Sequence, residues 1–163
     1  MNFEVGDAVV YPAQGAGTVL DVETRDVLGE RHTYLKIGFV RGGMEMLVPL
    51  AKVEAVGLRA AVDASELARL EDVLLREETR LPNAWPPRHR AEREILDGGD
   101  AYALARLVGT LTHRDREKGL ASTERDLLEA AKARLVGEFA VASGASLDEA
   151  AARLDAVLAR REA

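Results

Sequence analysis

Tyr34-Leu35-Lys36-Ile37-Gly38-Phe39, then Val40-Arg41-Gly42-Gly43, then Met44-Glu45-Met46-Leu47-Val48-Pro49, reads as two strands and the turn between them. Leu35, Ile37 and Phe39 alternate with Tyr34, Lys36 and Gly38, the period-two pattern of a strand with one buried face. Gly42-Gly43 supplies the tight turn, because glycine enters the left-handed region without steric cost. The next strand sets Met44, Met46 and Val48 on one side and Glu45, Leu47 and Pro49 on the other, which leaves Leu47 as an apolar residue on the polar side. Upstream, Gly15 and Gly17 follow Tyr11-Pro12 and read as a turn, and Leu28-Gly29-Glu30 separates two further extended runs. Turn residues recurring about every 8–12 positions over residues 1–60, with no helical periodicity, predict about five short strands in an SH3-like or Tudor-like barrel.

Beyond Gly57-Leu58-Arg59 the period changes to that of helices. Asp63 with Glu66 three residues on has the form of a capping box, and Leu67, Leu70, Val73 and Leu74 form the stripe behind it. Pro82, Pro86 and Pro87 turn Leu81-Pro82-Asn83-Ala84-Trp85-Pro86-Pro87 into a stiff extended loop, since proline removes a donor and restricts the residue before it. A second helix follows from Arg88 to Leu96 and ends at Gly98-Gly99. Asp100 caps a third, with Ala101, Leu104, Ala105, Val108 and Leu111 as its face. Ser122 caps a fourth, lined by Leu127, Leu128, Ala131, Leu135 and Phe139 and stopped by Gly144. Ser146 and Glu149 box the last, lined by Leu147, Ala150, Ala151, Leu154 and Leu158. Strands first and helices second, without alternation, predict a segregated α+β chain: a barrel over residues 1–58 and a compact domain of about five helices over residues 62–163.

Composition narrows the function classes. The chain has 163 residues, 47% hydrophobic and 31% charged, the balance of a folded soluble protein. No apolar run approaches the roughly 20 residues that span a bilayer, and Met1-Asn2-Phe3-Glu4 has no basic end followed by an apolar stretch. The expected location is therefore the cytoplasm. Without cysteine there are no disulfides, thiolate metal sites or cysteine nucleophiles. The net charge of −6 speaks against coating nucleic acid by charge alone, yet residues 80–118 carry a formal +2.

No enzyme constellation stands out. His32, His89 and His113 are scattered and read as solvated surface residues, and the HExxH and GxxxxGK[ST] spacings are missing. Gly15-x-Gly17 lies between strands with no helix after it, so it is no phosphate loop. Trp85, the single tryptophan, stands in the proline loop just before a basic helix start. It can pack between helices, or serve as a wedge against a minor groove or base step, with Arg88, Arg90 and Arg93 anchoring phosphates. For these arginines the plainer alternative is a solvated helix face with Glu92 and Glu94 as partners. The helix N-terminus would add its free N–H groups to a phosphate site. His113-Arg114-Asp115-Arg116-Glu117-Lys118 reads as cations complementing a helix C-terminus. Arg25 in Glu23-Thr24-Arg25-Asp26 is an exposed arginine or a protein contact.

Taken together, Val5-Gly6-Asp7-Ala8-Val9-Val10-Tyr11-Pro12, Gly15, Glu23-Thr24-Arg25, Gly29-Glu30, Val48-Pro49, Val56-Gly57-Leu58-Arg59, Pro82, Trp85, Arg88, Arg90 and Arg114-Asp115-Arg116-Glu117-Lys118-Gly119-Leu120 resemble the CarD/CdnL family of RNA polymerase-binding regulators. The first domain is similar to the polymerase-interaction module of transcription-repair coupling factors. The resemblance implies a Tudor-like barrel docking on the β-subunit lobe of RNA polymerase, and a helical domain at the upstream edge of the promoter bubble. It implies a minor-groove wedge at Trp85, DNA-backbone contacts from Arg88 and Arg90, and a polymerase contact from Arg25; Arg93 on the same basic helix is read with the DNA contacts, and Met46 and Leu47 on the polymerase-facing strand with the polymerase contacts. Pro87 stands where some members carry another arginine and Leu47 where some carry a basic residue, which implies a weaker hold on DNA and a more apolar polymerase contact. The expected protein is a monomer without catalysis, cofactor, metal or small-molecule ligand. The competing reading is a protein–protein adaptor with Trp85 buried.

Overall fold

The computed structural model describes residues 2–161, and Met1, Glu162 and Ala163, the outermost residues of the two expected domains, lie outside that range. Five strands come first: β1 Ala8–Tyr11, β2 Gly15–Val27, β3 Glu30–Phe39, β4 Glu45–Pro49 and β5 Arg59–Ala60. They form one antiparallel sheet in the order β4-β3-β2-β1-β5. The strands match the five expected, but β4 and β5 are opposite edges and no ladder joins them among the described residues, so the sheet is open. Leu35, Ile37 and Phe39 face inward, as their alternation predicts, and pack with Phe3, Val9, Val19, Val48, Val53 and Leu58.

A bulge in β2 resets which side chains face out. Val19 pairs with Ile37, but Asp21 pairs with Lys36, so Leu20 is the extra residue. Because side chains alternate with period two, one inserted residue reverses the facing of everything after it. Asp21, Glu23 and Arg25 thereby lie opposite Lys36, Tyr34 and His32 on the outer face, while Val22 lies opposite the buried Leu35. Gly17 is a strand residue and not the turn expected: a Cβ there would lie 2.7 Å from the Gly38 carbonyl oxygen. Its glycine serves close strand packing.

Five helices follow: α1 Leu67–Arg76, α2 Pro87–Gly98, α3 Ala101–Lys118, α4 Ser122–Ser143 and α5 Leu147–Arg160. The capping chemistry read from the sequence forms at three of their starts. The Glu66 carboxylate accepts from the Asp63 amide (3.0 Å) on the short 3-10 turn leading into α1. Asp100 accepts from the Tyr102 and Ala103 amides, and Ser146 from Glu149. Ser122 is not a cap. The cap position of α4 is Ala121, and the Asp115 side chain accepts from the nearby Leu120 amide (3.1 Å). The apolar stripes of all five helices meet in one cluster that includes Leu70, Leu74, Leu107, Leu111, Leu135, Phe139 and Leu154. The basic run 113–118 stabilises a helix C-terminus, though also that of a neighbour: Arg116 donates to the Leu158 carbonyl (2.8 Å) near the end of α5.

The join between the units is tied. β5 pairs Ala60 with Val9 of β1, so the sheet extends into the stretch read as a linker. Arg59 of β5 donates to both oxygens of Glu138 on α4 (2.7 Å each), and the Val62 amide donates to the same carboxylate (2.9 Å). Arg59 Nε also reaches the Gly99 carbonyl (2.6 Å) between α2 and α3, and Arg134 of α4 donates to the Pro12 carbonyl. Gly137 lets α4 approach the sheet, since a Cβ there would already be 3.4 Å from that of Ala16.

Candidate nucleic-acid interface and docking face

Trp85 projects from the loop between α1 and α2 and is 45% exposed. Its ring is held from one side by the helix it precedes. The His89 imidazole lies 4.8 Å from the indole by ring centroids, tilted by 38°, and the Arg88 guanidinium is 5.3 Å from the indole centroid. Cation–π attraction of this kind contributes about 0.5–2 kcal/mol, enough to bias the orientation of an otherwise free ring.

The arginines divide by face. Arg90 is exposed. Arg93 is also exposed, with Asp97 one turn on at 3.6 Å. These two stand on the outer side of α2. Arg88 does not. Its side chain is only 13% exposed, and its Nε and Nη2 donate to the two oxygens of Glu124 on α4 (3.0 and 3.1 Å), while Nη1 donates to the Asn83 carbonyl (3.2 Å). Arg88, expected as a phosphate anchor, thus has its guanidinium engaged by a buried carboxylate and set against the indole. Glu92, read as a solvated partner, is fully buried, and His89 has its Nδ1 enclosed where a solvated histidine was expected.

The start of α2 is a poorer anion site than expected. Pro86 and Pro87 carry no N–H, and the Arg88 amide already donates to the Ala84 carbonyl (3.0 Å). Positive charge at this end comes from side chains.

On the sheet, the bulge places Arg25 on the same outer face as Leu47, which lies opposite Lys36. Arg25 is exposed and held along its strand by Glu23 (2.9 Å). Leu20 also lies on this face, over Gly38, where a Cβ would come within 2.8 Å of its Cδ1. Nothing in its local sequence marks it, because the bulge that turns it outward is set by pairing with β3. Met46 points the other way, opposite Ile37 and packed on the core of the sheet's inner face, so of the three expected docking residues it is the one turned inward. Strand alternation alone would have separated Met46 from Leu47. Among the described residues no cluster of histidine, aspartate and glutamate is placed to hold a metal ion.

The arrangement is an antiparallel sheet followed by a helical unit, with Arg25 on the outer face of the sheet and a half-exposed indole at the tip of the helical unit. Residues 69–155 match the sequence profile of the CarD C-terminal domain, and residues 3–62 that of the CarD-like/TRCF RID domain. YdeB of Bacillus subtilis (strain 168) is 26% identical over 142 residues, covering 87% of this chain and 93% of that protein. The solution structure of the 72-residue N-terminal domain of Myxococcus xanthus CarD is 36% identical, covers 36% of this chain and 79% of that one, and has a TM-score of 0.32. The chain belongs to the CarD family of transcription regulators.

Proposed function

We propose that the outer face of the sheet, through Arg25 and Leu47, docks on the β subunit of RNA polymerase, and that Trp85 braces the upstream edge of the promoter bubble from the minor-groove side. Arg90 and Arg93 hold the DNA backbone. The observation that carries this reading is the half-exposed indole, fixed on His89 and Arg88 and followed by two outward arginines on one helix. An adaptor with a sealed tryptophan fits that indole poorly. The net charge of −6 agrees with a protein that needs little affinity of its own for duplex DNA, because docking on polymerase raises its effective concentration at the fork.

The mechanism is a population shift. A wedge that binds the melted fork better than closed duplex moves promoters toward the open state by as much as its differential affinity, and equal binding to both would move nothing. Stacking of an aromatic ring on a base is worth about 1–3 kcal/mol, which corresponds to a change of roughly five- to 150-fold in open-complex lifetime. The test is promoter opening with purified polymerase. Trp85→Ala shortens the lifetime with polymerase docking intact, whereas Arg25→Glu loses docking and the effect together. A lifetime unchanged by Trp85→Ala refutes the wedge.

A further inference from the structure

We infer that Glu92 on α2 and Glu124 on α4 form a proton-sharing carboxyl pair that positions Trp85 through Arg88, so that release of one proton moves the indole. The inference deepens the reading of Trp85 as the working tip and rests on it for its consequence at a promoter.

The geometry is a count of charges in a closed space. Glu92 and Glu124 are both buried, and the guanidinium beside them is that of Arg88, 3.0 Å from Glu124 and 3.8 Å from Glu92. Arg88 forms a two-point contact with Glu124 and so compensates one carboxylate. Both oxygens of Glu92 are enclosed without a donor. A buried carboxylate in that position is unfavourable, and two adjacent carboxylates do not both ionise readily; a proton retained between them removes both problems and supplies the missing donor. The charged groups bearing on Glu92 are Arg88 on its own helix, one turn earlier, Arg114 on α3 and Glu124 on α4. Burial, then the hydrogen bond and charge of Glu124, push the Glu92 carboxyl up from 4.5 to about 8, against the opposing pull of Arg88 and Arg114.

Trp85 rests on Arg88, the residue that contacts this pair, and on its neighbour His89. When the shared proton leaves to solvent, a second carboxylate competes for Arg88. The guanidinium is then drawn from Glu124 toward Glu92, and the surface under the indole changes. Glu92 and Glu124 are thus positioning residues, with a proton as their ligand.

The single tryptophan makes this measurable in the full-length free protein, without polymerase or DNA. Emission is followed across neutral and mildly alkaline pH. The expected result is a shift in wavelength centred at about pH 8. It is absent in Glu92→Gln and displaced to lower pH in Glu124→Gln, where Glu92 alone keeps Arg88. Circular dichroism confirms that each variant folds, and if Glu92→Gln does not, the Glu124→Gln midpoint decides. Emission that does not respond to pH in the wild type overturns the inference, as does a shift that persists in Glu92→Gln or an unmoved midpoint in Glu124→Gln. Because this readout is independent of the promoter, its failure leaves the wedge reading standing. Conversely, an ineffective Trp85→Ala at the promoter leaves the carboxyl pair standing.

Discussion

At the scale of single residues, the chemistry of the site turns on acids placed where apolar side chains belong. Glu92 lies four residues before the buried Leu96, and Glu124 three before the buried Leu127, so both sit on the stripes that face the core. That spacing is legible in the sequence: an arginine four residues before a stripe glutamate points inward with it, which neither the phosphate-anchor expectation for Arg88 nor its solvated-face alternative takes into account. The exposure of Trp85, by contrast, was not legible, because a proline-flanked indole fits a helix junction and a surface tip equally well. The raised Glu92 carboxyl also sets the sign of a stability trend. Between 4.5 and about 8 the folded chain holds this proton and the unfolded chain does not, so the stability it contributes is full at low pH and is lost as pH rises through that window. Denaturant titrations across pH should show Glu92→Gln less sensitive to alkali than the wild type over that range, with a midpoint overtaking the wild type near its upper end.

At the scale of elements, periodicity recovered nearly every strand and helix, and it failed where one residue breaks the period. The β2 bulge at Leu20 is such a place. Local sequence there still alternates plausibly, and only pairing with β3 reveals that Arg25 and Leu47 share a face. The hairpin joining β2 and β3 holds a second departure. Val27 pairs with Glu30 across a two-residue turn in which Leu28 has φ 52° and Gly29 φ 82°, and Leu28 is 100% exposed. Such turns favour asparagine then glycine, and a leucine in the left-handed region costs about 1 kcal/mol for no contact in return. Leu28→Asn should therefore raise stability by about 1 kcal/mol, read as a higher urea midpoint with an unchanged slope.

At the scale of the whole molecule, the two faces serve one function only if the sheet and the helices hold a fixed relation. Composition and periodicity were silent on this, since Arg59 and Glu138 are 79 residues apart and no local pattern couples them. The one sequence clue was a glutamate inside the otherwise apolar Leu135-Val136-Gly137-Glu138-Phe139-Ala140. Glu138 is 2% exposed and receives three donors, two from the edge strand β5 and one from the connector, while the same Arg59 also reaches the α2–α3 turn. Removing the carboxylate strands Arg59 and the Val62 amide together, a loss of about 3–5 kcal/mol for a broken buried pair. Its effect should fall between the domains rather than within them. In Glu138→Ala the sheet still carries Arg25 and Leu47 and still docks, but Trp85 is no longer held at a set distance from the docking face, and the advantage of a tethered wedge declines with every added orientation. Polymerase pull-down should therefore remain near wild type while open-complex lifetime falls toward that of Trp85→Ala. Equal loss of docking and lifetime would place the fault in folding of the sheet, and retention of both would mean that the remaining contacts, Arg134 on Pro12 and Gly137 on Ala16, suffice to hold the two units in register.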